Sequence, residues 1–70
     1  MTPDAITYLV DHHTRAASWC ERQADDVARL PAENDTVRSD NIRRAAELKK
    51  KSAWHREASA LIGSMEQGCA

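Results

Sequence analysis

Two helical stripes run through the pattern of polar and apolar positions in this chain. Ile6, Leu9, His13, Ala16, Cys20, Gln23, Val27 and Leu30 follow one another in alternating steps of three and four. That spacing keeps side chains on the face of a helix that lies along another helix. Ala45, Leu48, Ser52, His55, Ala58 or Ser59, Ile62 and Met65 repeat the pattern. No segment alternates with a period of two, so strands are not expected. The opening "TPDA" reads as a helix start, with Thr2 as cap, Pro3 in the first turn and Asp4 at the positive end of the dipole. Pro31 stops the first helix, "PAENDT" makes a short connection, and Asn34, Asp35 and Thr36 can each cap the second. Gly68 is a natural terminator. The predicted organisation is a single all-α domain over 1–70: a helix about 3–30, a loop about 31–35 and a helix about 36–67. A connection this short makes the helices antiparallel, a two-helix hairpin. It places Trp19 near Leu48, and His12 and His13 near Trp54 and His55.

The seam is built largely of small and polar residues, so the two helices zip together weakly. More apolar surface lies outside it. On a helical wheel Tyr8, His12 and Trp19 flank the first stripe, and Trp54 and Leu61 flank the second. A partner helix covers only about 100° of a helix surface. The surplus either folds over the hairpin's own flank or meets another copy. A lone 70-residue hairpin is poorly stabilised, which favours the copy: a homodimer forming a four-helix bundle.

Composition adds few constraints. The cysteines, Cys20 and Cys69, fall at different levels of a hairpin and are not expected to pair. Two thiols, no signal peptide and no apolar run long enough for a membrane point to a reducing cytoplasm. A net charge of −1 argues against a protein that coats nucleic acid.

The candidate chemistry is sparse. Adjacent His12 and His13 point about 100° apart and cannot share one ion from a helix, and no histidine has a ligand four residues on. Of the serines, none sits in a strained turn beside a base, and the two glycines form no phosphate loop. No catalytic, cofactor or metal site is expected, and the chain reads as non-enzymatic. The basic cluster "RRAAELKKK" offers Arg43, Arg44, Lys49, Lys50 and Lys51 as nucleic-acid contacts. These point in several directions, and an acid stands four residues before several bases (Asp40 before Arg44, Glu47 before Lys51, Asp11 before Arg15, Asp25 before Arg29), the favourable order for an exposed ion pair. A solvated face is the better reading, with a DNA- or RNA-binding regulator and a purely structural self-assembly module as the alternatives. Tyr8, Trp19, Trp54, Leu61 and Met65, with Arg15, have the chemistry of protein-interface anchors.

In size, Ala- and Arg-rich composition and stretches such as "RRAAELKKKSAWHREASALI", the chain resembles small bacteriophage-encoded host-takeover proteins, anti-CRISPR proteins and inhibitors of quorum-sensing regulators among them. The resemblance implies a protein that binds a bacterial host protein in the host cytoplasm and inhibits it by steric occlusion. It transfers no binding residue.

Overall fold

A computed structural model describes residues 2–68, with side chains to residue 65. It is an all-α helical hairpin of α1 (Pro3–Ala28) and α2 (Asp35–Gly68), packed along each other. The caps form where the sequence places them. Thr2 Oγ1 accepts from the Ala5 amide at 3.2 Å, and Asn34 Oδ1 accepts from the Val37 amide at 2.9 Å. Each satisfies one of the amides that a helix start leaves unpaired. α1 ends two residues earlier than expected. The Arg29 amide still reaches back to the Asp25 and Asp26 carbonyls, but Leu30 lies in the bend before Pro31 and is about half exposed. The residue before a proline is disfavoured in helical geometry, so the pattern ran past the point where the backbone can follow it.

The seam follows the predicted stripe, displaced to one side. Ile6, Cys20, Val27, Ala45 and Ser52 are buried, and Leu9, His13, Ala16, Gln23, Leu48, His55, Ala58, Ser59 and Ile62 are half-buried. Ala17 and Ala24, outside the predicted set, are fully buried at 0% exposure, and Asn41 is buried too. Ala17 and Ala24 stand seven residues apart on the next position round the helix, where the missing side-chain bulk lets α2 approach. Leu48 packs against Ala24, Val27 and Ala45, not against Trp19. Met65, the last residue of the predicted second stripe, is exposed. Cys20 is buried as a free thiol, and the pairing of Cys69 lies outside the described residues.

The result is a rod of 56 × 14 × 12 Å. Its radius of gyration is 16.2 Å, against about 11 Å for a compact chain of this length. Two parallel rods of side chains have one contact line and no interior, which is why nothing larger than a small residue is fully enclosed.

Candidate functional site

The two flanks of the hairpin differ. One is closed by polar contacts across the helices. Glu21 Oε1 accepts from Ser52 Oγ at 2.8 Å and from Arg56 through Nε at 2.7 Å and Nη2 at 2.6 Å. Further along, the Thr14 and Ser59 hydroxyls bond at 3.0 Å, while Thr14 also donates to the Val10 carbonyl at 2.8 Å. The Ser52 hydrogen bond, then Arg56, holds the Glu21 carboxyl below the usual carboxylate range. A carboxylate stabilised in this way is a weak base, so it fixes the Ser52 hydroxyl and does not activate it.

The opposite flank is open. Trp19 and Trp54 each stand two residues before a member of the Glu21–Arg56 pair. Two residues are 200° of helical rotation, which turns both indoles to the far side of the hairpin. Tyr8 and His12 continue the α1 stripe, their rings stacked with centroids 6.3 Å apart and 13° between planes. Leu61 and Met65 continue the α2 stripe. Because the helices are antiparallel, Trp19 lies at nearly the same height as Trp54, and Tyr8 at that of Leu61 and Met65. The four largest anchors are well exposed: Tyr8 69%, Trp19 53%, Trp54 59% and Leu61 62%. A shallow groove runs between Tyr8, His12, Ala16 and Trp19, edged by Asp11, Arg15 and Arg22. Arg15 is held there by Asp11 at 3.1 Å. All six predicted interface residues, Tyr8, Arg15, Trp19, Trp54, Leu61 and Met65, thus lie on or beside one flank, over the half of the rod nearest the chain termini.

The remaining candidates do not converge. His13 Nδ1 and His55 Nδ1 meet across the seam at 2.9 Å, one ring nitrogen donating and the other accepting. The His12 ring stands edge-on to His13. This is the histidine contact expected between the helices. Among the described residues no three His, Cys, Asp or Glu side chains gather at a point fit for a metal ion. Arg43, Arg44, Lys49, Lys50 and Lys51 are all exposed and spread around α2, with no common face to lay in a groove. Asp40 pairs with Arg43 at 3.1 Å rather than with Arg44, one residue short of the expected spacing. No described helix is long and apolar enough to cross a membrane.

Two features escaped the sequence reading. Glu21 is the hub of the closed flank, yet in the sequence it is one more acid on a solvated face. Its position one residue beyond the seam member Cys20, and four beyond Ala17, was the available signal. Leu30 and Ile42 form a second, smaller exposed apolar spot at the loop end, with Ala28, Ala32 and Arg38. No protein-family model, curated protein or solved structure matches the chain.

Proposed function

We propose that this chain is a non-enzymatic binding protein whose working form is a homodimer, the aromatic flanks of two hairpins closing into a four-helix bundle. The observation that carries it is the open flank, with Tyr8, Trp19, Trp54 and Leu61 held on rigid helices and left half or more exposed. Such residues dominate the energetics of interfaces. The area supports a second copy as the occupant. The chain exposes 5402 Å² at 7.8 kDa, whereas a compact monomer of that mass exposes about 4,400 Å². The surplus of roughly 1,000 Å² is close to the ~800 Å² that each partner contributes to a stable interface.

The assembled bundle acts by covering a surface on another protein. The resemblance to phage host-takeover factors makes a bacterial host protein the target class and steric occlusion the mechanism. The experiment is a pull-down from nuclease-treated bacterial lysate with tagged wild type beside a Trp19→Ala, Trp54→Ala variant checked for helicity. One stoichiometric host protein, retained by wild type and lost with the dimer, supports the reading. Retention of nucleic acid instead, weakening steeply as salt rises, replaces it with the regulator that uses Arg43, Arg44 and Lys49 to Lys51. Self-association with no other partner reduces it to a structural module.

A further inference from the structure

The aromatic flank is apolar along only half its length, and the other half carries charges in a definite order. Moving from Trp19 toward the loop, the outward side of α1 continues with Arg22, Asp26 and Arg29, with the exposed Leu30 beyond them. Moving from Trp54 toward the loop, the α2 stripe continues with Lys51, Glu47 and Arg44. All six charged residues are exposed, and among the described residues none of them takes part in an ion pair within 4 Å. Their heights match in antiparallel register: Arg22 with Lys51, Asp26 with Glu47, Arg29 with Arg44. The seam sets this register through Glu21 with Ser52 and the packing of Ala24 and Val27 on Ala45 and Leu48.

Two closed symmetric arrangements can bury the aromatic flank. With the two-fold axis along the rod, both loops lie at one end and α1 faces α2 of the partner at equal height. Every charged pair above then meets its own sign. With the axis across the rod, the loops lie at opposite ends and each helix faces its own copy, running the other way. Tyr8 then meets the Trp19 level of the partner, Trp54 meets the Met65 level, and the like-charged rows separate toward the two ends. Both arrangements bury Tyr8, Trp19, Trp54, Leu61 and Met65, so charge decides between them, and like charges brought together across an interface are strongly disfavoured.

We infer that the partner of the aromatic flank is a second copy in the loops-opposed arrangement, with the two-fold axis crossing midway between Tyr8 and Trp19. The inference rests on the dimer proposed above. The loop tip, at the start of α2, stands about 24 residues or roughly 37 Å along the rod from that axis at 1.5 Å per residue, so the two tips lie roughly 70 Å apart. With the loops together they would lie within roughly 20 Å, the width of two packed helices.

The test measures that distance by pulsed electron spin resonance. A nitroxide is placed on Glu33→Cys, an exposed loop position, with Cys20 and Cys69 replaced by alanine. Sedimentation first shows whether the labelled chain associates as the wild type does. A distance near 70 Å is the expected result, and one below about 25 Å overturns the arrangement while leaving the dimer standing. A wild type that stays monomeric up to about 1 mM overturns both. Asp26→Lys, in otherwise native chain, provides an independent check. It leaves the dissociation constant within about threefold if the loops are opposed, but tightens it about tenfold or more if Asp26 faces Glu47 of the partner subunit.

Discussion

The two flanks of this hairpin are made by the same two helices, yet they solve the problem of exposed helix surface in opposite ways. On one, Glu21, Ser52, Arg56, Thr14 and Ser59 complete one another's hydrogen bonds across the seam. On the other, Trp19, Trp54, Tyr8 and Leu61 stand open, covered by neither α1 nor α2. The seam and the polar flank set how the two helices pack; the aromatic flank is left for a partner. Stability of the fold and association with a partner should therefore respond to different substitutions, and that separation can be attacked from either side.

The largest effect is expected on the open flank. Trp54→Asp places a charge where the proposed dimer would bury an indole, at about 2 kcal/mol or more for an interface anchor. Two-fold symmetry introduces the change twice, so dissociation should weaken by roughly a thousandfold. Sedimentation equilibrium reads this directly, and circular dichroism of the separated chains should still show a helical hairpin. If Trp54→Asp leaves association unchanged, the open flank is not the interface.

Next comes the seam. Ala24 is fully enclosed against Val27, Ala45 and Leu48. Ala24→Leu forces the helices apart at a cost of about 1–3 kcal/mol, a fall of at least ~4 °C in thermal midpoint. The opposite sign is expected at Gly63. A β-carbon there would sit 3.8 Å from Val10 Cγ2, an ordinary contact, so Gly63→Ala should stabilise by up to about 1 kcal/mol through helix propensity. A loss of stability in that variant would mean that α2 sits closer to α1 than described.

The smallest effect belongs to the closed flank and appears with pH. The Glu21 carboxyl is held below its ordinary range in the folded chain by Ser52 and Arg56. A depressed acid contributes stability that is fully present above its unfolded pKa, near 4.3, and is lost as pH falls through the lower folded value. The residue is about half exposed, so solvent screens the contribution to a shift of a few degrees at most. Thermal melts from pH 6 to pH 3 should fall more steeply for wild type than for Glu21→Gln. Equal slopes would show that the Glu21 contacts contribute nothing measurable.

The fold was legible in the sequence because both helices carry their own start signals and a continuous three-four repeat. Thr2, Pro3 and Asn34 mark starts by local hydrogen bonding and fixed backbone angles, which depend on no distant residue. The exposure of the large apolar side chains was legible for a related reason. Tyr8, Trp19, Trp54 and Leu61 are too large and too far round the wheel to enter a seam made of alanine, serine and cysteine. What the sequence hid were contacts whose value depends on the other helix. Ala17 and Ala24 look like featureless helix formers until α2 lies against them. Glu21 becomes a hub only when antiparallel register brings Ser52 and Arg56 to it. Leu30 fitted the repeat numerically but fell beyond the last residue that the turn at Pro31 allows to be helical.

Sedimentation equilibrium of the wild-type chain, run over a wide concentration range at neutral pH, decides whether the aromatic flank closes on a second copy. The expected result is a reversible monomer–dimer equilibrium that closes at two chains, with the dimer dominant in the micromolar range, where association is worth about 8 kcal/mol. A single monomeric species throughout would contradict it, and would mean that the aromatic flank stays open in solution.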